Sequence, residues 1–309
     1  MPRTLFWDRL LSSLTRNPRF TPSENNADIL LPAEDVAMEM NWPRYGRLDS
    51  AFVRGQLDQQ AYDRYMNQLL ASLRPLCIVN TYPAIRLPQI ARDRANIYVA
   101  DTCLADFERS LNPRTIAMPV PPITSGHGKI TSKSILASFR GVDSHPTRTA
   151  LAKLHDGKDF ICQIVPPNAH IGKLDATASK IDPDYANLMA NSIFAIVPRG
   201  DSLFSYRLTE ALSFGCIPVI ISDAWILPFD RLIDWNAISV RLPESQVAKL
   251  PDLLRLFSAP RIAEMRKAAH EAFHRHFADT DAMAESLLRS LEIQFPGVFG
   301  AFVSGSTCS

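Results

Sequence analysis

Apolar residues along this chain come in two rhythms. Short uninterrupted runs alternate with longer stretches in which an apolar position returns every three or four residues, the pattern of buried strands interleaved with amphipathic helices. Residues 76–79, 97–100 and 115–118 read as short buried strands, with a helical piece between the first two, and residues 28–31 as a brief strand after a polar linker at 21–26. Leu57, Ala61, Tyr65, Leu69 and Leu73 recur at helical spacing, and Arg74-Pro75 closes that helix. Downstream, residues 134–139 predict a strand, Arg140-Gly141 a turn, 146–154 a helix with Pro146 at its first position, and 160–165 another strand. Residues 237–242 read as a strand, and three helices follow, carrying Val247, Leu250, Leu254 and Phe257, then Ile262, Met265, Ala269 and Phe273, then Met283, Leu287, Leu288 and Leu291. Such alternation predicts an α/β protein with parallel sheets. The stretch 123–129, where Gly126 and Gly128 flank His127, reads as an interdomain linker. It divides the chain into a short first domain at 1–130, a second at 131–278, and a closing helix and tail at 279–309.

The most informative stretch is 192–223, SIFAIVPRGDSLFSYRLTEALSFGCIPVIISD. An apolar run breaks at Pro198 and Gly200, an amphipathic segment follows, and a β-branched run begins after Gly215. Phe204, Leu208, Ala211 and Leu212 share one helical face, and the spacing turns Arg207 and Glu210 away from it, toward a ligand. A cation in a first helical turn opposes the macrodipole and calls for an anion nearby, which applies to Arg207 and also to Arg148. Arg199, Gly200 and Arg207, with free backbone N–H groups and a hydroxyl from Ser205, would suit a diphosphate, and Glu210 would suit two neighbouring ribose hydroxyls. The plainer alternatives are a surface ion pair between Arg207 and Glu210, a solvated charge at Arg148 and a helix-start role for Ser205.

Composition narrows the field. The 309 residues are 46% hydrophobic and 21% charged with a net charge of +1, so no basic field suggests nucleic acid as a partner. Five scattered cysteines without a CxxC pair argue against a disulfide framework or structural zinc and fit a reducing compartment. No apolar run reaches the length of a membrane span. Near the start, Phe6, Leu10, Leu11 and Leu14 form one helical face beside Arg3, Arg9 and Arg16, which permits peripheral membrane contact or docking on the protein body. There is no Asn-x-Ser/Thr acceptor, and a cytoplasmic or peripheral-membrane location is expected.

Pro198-Arg199-Gly200-Asp201, Ser205-x-Arg207-x-x-Glu210-Ala211, Gly215-Cys216-Ile217-Pro218-Val219-Ile220, Asp223, Leu227-Pro228-Phe229 and Asp234-Trp235, in this order and spacing, resemble the signature of the exostosin family of glycosyltransferases. Family relatives also carry an aromatic-rich strand, a small loop and an arginine where Phe139, Gly141 and Arg148 stand. The resemblance implies a GT-B-like fold, two Rossmann-like α/β domains with parallel sheets and a cleft between them, the second holding a nucleotide-sugar. It further implies inverting transfer from a donor, usually UDP-linked, to a glycan or glycoconjugate acceptor, with no cofactor and no metal. Asp182-Pro183-Asp184 and Asp279-Thr280-Asp281 have the spacing of a metal-holding triplet, but both read as helix N-caps. Exostosins are typically Golgi membrane proteins, so a Golgi location is the alternative if an anchor is missing from this sequence.

Inversion calls for a general base. Asp101, Asp106, Glu108 and His127 are the candidates, with Asp101 after a predicted strand and His127 in the Gly-x-Gly linker singled out. The competing reading is a non-catalytic relative that binds nucleotide or a partner glycosyltransferase. A dehydrogenase is disfavoured because no GxGxxG follows a predicted strand.

Overall fold

The computed structural model describes residues 3–20, 76–80, 97–101, 104–111, 113–122, 124–128, 132–166 and 183–296. The helix expected around 57–73, the strand at 28–31, the helical piece between the first two strands, and Asp182 lie outside the described residues.

Two parallel sheets organise the protein. The first joins β1 (Leu76–Asn80), β2 (Ile97–Asp101) and β3 (Thr115–Ala117) in that order. The second has five strands in the order β5-β4-β6-β7-β8, formed by β4 (Ile135–Val142), β5 (Phe160–Val165), β6 (Ser192–Pro198), β7 (Ile217–Ile221) and β8 (Val240–Arg241). All pairings within the sheets are parallel, as the crossover helices require. This is the two-sheet α/β arrangement expected of a GT-B-like chain. The continuous apolar runs follow from burial on both faces. In β6, Phe194 and Ile196 enter one core with Phe139, Phe160 and Leu254, while Ala195 and Val197 enter the other with Leu208, Phe273 and Leu287.

The connecting helices are α1 (Arg3–Arg16), α2 (Asp106–Leu111), α3 (Pro146–Ala152), α4 (Pro183–Asn191), α5 (Arg207–Ser213), α6 (Trp235–Ile238), α7 (Leu250–Arg255), α8 (Ala259–His276) and α9 (Thr280–Gln294). A 3-10 turn at Glu244–Lys249 precedes α7. Two expectations need correction here. Arg140 and Gly141 continue strand β4 instead of turning, because β5 pairs with both. Ala237 and Ile238 are helical, because Asp234 caps α6 through the Asn236 N–H at 3.0 Å and delays the strand to Val240. Asp279 caps α9 through the Ala282 N–H at 2.8 Å, as expected.

The first sheet meets the second unit through the loop after β7. The Ile226 N–H donates to the Leu104 carbonyl at 2.9 Å, the Phe229 N–H donates to Ala117 at 2.8 Å, and Ala105 bridges Trp225. A bidentate Arg109–Asp230 ion pair, at 2.6 and 3.0 Å, adds a charged clasp. Helix α1 packs on α9: Leu10 and Leu14 are buried there, Arg16 pairs with Asp281, and Arg19 pairs with Glu285 and Glu292. The described part of its apolar stripe is therefore spent on the protein body. Among the described residues no helix is long and apolar enough to cross a membrane.

The histidines of α8 divide between surface and interior. His274 is exposed, but His276 is buried and its Nδ1 lies 2.9 Å from Ser286 Oγ. Because the Ser286 hydroxyl proton goes to the Ala282 carbonyl, His276 Nδ1 must be the donor of this bond. Burial, then the charges of Arg275 and Arg289, push its pKa from 6.5 to about 4. The unfolded chain thus takes up this proton more readily, and stability present above pH 6.5 is lost as pH falls toward 4. Urea unfolding midpoints should fall across that window, and His276→Gln should flatten the fall.

Candidate functional site

The site is assembled at the carboxyl ends of β4, β6 and β7, where ligands bind in open α/β sheets. Helix α5 ends in a Schellman motif: Gly215 adopts φ 64°, its N–H bonds the Leu212 carbonyl at 3.0 Å, and the Cys216 N–H bonds Ala211 at 2.9 Å. Glycine tolerates this left-handed backbone, so the chain reverses directly into β7.

All seven residues of α5 are buried, which corrects the expectation of one free face and also removes the surface ion pair. Arg207 reaches back to strand β4, where Nη2 and Nε donate to the Arg140 carbonyl at 2.6 and 3.2 Å. Its guanidinium lies 5.2 Å from the Phe139 ring centroid and 5.9 Å from that of Tyr185. Arg148, in the first turn of α3, approaches the same Phe139 ring at 5.8 Å. Its Nε donates to the Arg199 carbonyl at 2.9 Å and its Nη1 to Val142 at 3.0 Å. Arg148 and Arg207 are each only 7% exposed. Burial, then the charge of Arg207, lower the Arg148 pKa to about 10. The two buried cations share one aromatic ring, and the Asp201 and Asp143 carboxylates act on Arg148 against the Arg207 charge.

Glycines make room for both. A Cβ on Gly141 would collide with the Arg207 guanidinium, and one on Gly200 would lie 3.0 Å from Arg148 Nη2 and 3.3 Å from Ser144 Oγ. Gly141→Ala is therefore expected to displace the guanidinium and, because that Cβ also lies 3.2 Å from the buried Phe139 ring, to lower the unfolding temperature. Its calorimetric affinity for inorganic diphosphate should drop about tenfold or more, the scale of one charged hydrogen bond.

Ser205 Oγ is buried and has no hydrogen-bond partner among the described residues, so the expected hydroxyl contributor is an orphaned group. Its carbonyl accepts from the Leu208 N–H at 3.2 Å. Arg199 lies at the rim, with Nη1 3.8 Å from Glu244. Sequence reasoning missed Glu244, which accepts from the Asp223 N–H at 3.1 Å, while Asp223 accepts from the Glu244 N–H at 2.9 Å. His145, also missed, caps α3 through Nδ1 and stands 4.0 Å from Glu244 through Nε2. The Asp223 motif position was the only signal for this clasp, because Glu244 comes from a distant turn.

Glu210 is 4% exposed, and both its oxygens are engaged. Oε1 accepts from the Thr124 N–H at 3.1 Å and Oε2 from the Tyr185 hydroxyl at 2.6 Å. Burial, then the Glu210 charge, raises the Tyr185 pKa well above its usual value and keeps the phenol a donor. Here Glu210 fixes Tyr185 beneath Arg207 instead of presenting an open carboxylate to a ribose. Helix α5 also pins the linker. Thr209 Oγ1 donates to Val120 at 2.9 Å, and the Gly126 and Gly128 N–H groups bond Ser213 at 3.1 and 2.7 Å.

The two candidate bases separate. His127 is exposed, with φ 54°, in the turn held at the carboxyl end of α5. The seven residues of that helix set the turn roughly 9 Å along the axis from Arg207. Asp101 closes β2, three residues before Leu104 bonds the loop after β7, so the sheet brings its backbone toward the second unit. Asp106 is exposed at the start of α2, which Glu108 shares. Cys77, Cys162 and Cys216 are free and buried. Burial pushes the Cys77 and Cys162 thiols up to about 12, and they take no part in the site.

The Exostosin GT47 domain model matches residues 79–257, more than half of the chain and all of the arginine site. An Exostosin-1 homolog of Caenorhabditis elegans is 40% identical over 106 residues, covering 34% of this chain and 28% of the relative. Exostosin-1 of Drosophila melanogaster is 31% identical over 179 residues, covering 53% of this chain and 23% of the relative. The matches thus span about a quarter of the length of these relatives. Among solved structures, a glycosyltransferase from Rickettsia africae ESF-5 superposes with TM-score 0.46 at 13% identity, covering 78% of this chain and 75% of that one.

Proposed function

Because this chain belongs to the exostosin GT47 family of glycosyltransferases, we propose that it transfers a sugar from a nucleoside diphosphate donor, UDP-linked, to a glycan or glycoconjugate acceptor. The transfer inverts the anomeric carbon and needs no metal. The observation that supports this reading is the buried Arg148–Phe139–Arg207 stack, with the orphaned Ser205 hydroxyl two residues before Arg207. A departing diphosphate develops negative charge, and preorganised donors in a water-poor site stabilise it without reorganisation at the moment of reaction. Arg148, Arg207 and Ser205 supply those donors, and Arg199 closes the rim. Asp101 is the base assigned to the acceptor hydroxyl.

Calorimetry of UDP binding in chelator, with GDP and NAD as controls, tests the donor site. Metal-independent, UDP-selective binding is expected, followed by transfer in a donor and acceptor screen. A folded sample that binds none of the three overturns the donor reading. UDP binding with neither transfer nor donor hydrolysis would leave a nucleotide-binding partner of another glycosyltransferase as the better account.

A further inference from the structure

A cavity of about 370 Å³ opens where the two units meet, away from the arginine stack and beside the edge strand β8. Its volume falls at the low end of small-molecule sites, roughly 300–1,000 Å³. Trp225, Ile233 and Trp235, all buried, form an apolar wall. Ile226 and Leu227, also buried, belong to this wall, and the polar lining is Asp106, Arg109, Asp230, Asp234, Asn236 and Arg241.

The donor set selects a chemical class. Arg109 spends Nη1 and Nη2 on Asp230, so this pair is neutral within itself, but its Nε is buried with no partner among the described residues. Arg241 Nη2 donates to the Trp225 carbonyl at 3.3 Å, and Asp234 accepts from the Asn236 N–H at 3.0 Å. What faces the cavity is a mixture of carboxylates, which only accept, and guanidinium groups, which only donate. An anion would meet Asp106 and Asp234, and a cation would meet Arg109 and Arg241. A hydroxyl both donates and accepts, so a polyhydroxylated neutral ring satisfies both kinds of group.

From this geometry we infer that the cavity is a binding site for a neutral saccharide residue. As a subsite for the acceptor glycan it rests on the transferase reading above; as a binding site it has its own readout. Trp225 and Trp235 are two of four tryptophans in the chain, so fluorine NMR of the full chain labelled with 5-fluorotryptophan reports on the wall directly.

The probes are methyl glucoside, methyl galactoside, methyl xyloside and cellotetraose, with glucuronic acid as the anionic control. At least one neutral probe should shift the Trp225 or Trp235 signal saturably at about 1–50 mM, the weak range of a single subsite. Asn236→Phe, which fills the cavity from an exposed position, and Arg241→Ala, which removes a donor, should each weaken that response about fivefold or more. UDP affinity measured on the same samples should stay unchanged. No response to any neutral probe, preference for glucuronate, or equal responses in the variants overturns the inference. A sample that binds saccharide here but no UDP instead sinks the donor reading and leaves this site standing.

Discussion

Replacing Arg207 with methionine is expected to weaken UDP binding by about 10- to 150-fold, equivalent to roughly 1.5–3 kcal/mol for a charged hydrogen bond. Turnover at saturating donor should fall by a further 10²–10³-fold, roughly the cost of losing one preorganised donor at a developing anion. Methionine preserves an aliphatic stem against Phe139 and Tyr185, so a lost site is not confused with a lost core. The neighbouring charge sharpens the test. Arg207 lowers the Arg148 pKa, so removing it relaxes Arg148, and the Arg148→Ala, Arg207→Met double variant should lose less than the sum of the two single losses. Additive losses would mean that the guanidinium groups do not act on one ligand. Unchanged UDP affinity in the Arg207 variant would remove the arginine stack from the donor site.

Much of this arrangement was legible in the sequence because it is local. The β6-loop-α5-β7 order, Gly215 at the helix end, Asp279 as a cap and Arg148 in a first turn all follow from spacing and from what each residue type does to the backbone. The surroundings of α5 were not legible. Helical periodicity shows which face carries apolar residues, but it does not show that Val120, Thr124 and Tyr185 cover the other face. Glu210 thus read as open to ligand when tertiary contacts bury it. Tyr185, which no local pattern ties to Glu210, supplies the hydroxyl that holds it. Gly141, read as a turn, lies within a strand because β5 pairs there, and its missing side chain is what admits Arg207. His276 shows the same limit, since its partner Ser286 sits on the following helix.

The same distinction between local and tertiary information bears on the base. Asp101→Asn is expected to lower turnover by about 10²–10⁴-fold, the usual contribution of a positioned general base, while leaving UDP affinity unchanged. The argument is positional. Asp101 ends β2, and parallel strands present their carboxyl ends to ligands. A few residues on, the chain is bonded to the loop after β7, which leads out of the strand beside the arginine site. His127, by contrast, is held at the opposite end of α5 from Arg207 by its neighbours, the Gly126 N–H donating to Ser213 Oγ and the Gly128 N–H to the Ser213 carbonyl, and Gly128 packs on His274. His127→Ala should therefore leave both turnover and UDP affinity within about twofold of wild type, as for a surface substitution of less than about 0.5 kcal/mol. A pH profile distinguishes a base from a structural role: the acid limb of kcat/KM should report the Asp101 ionisation in the wild type and vanish in Asp101→Asn. If Asp101→Asn retains full turnover with the limb intact, the base lies elsewhere. A large loss in His127→Ala alone would require the linker to leave α5 during the reaction.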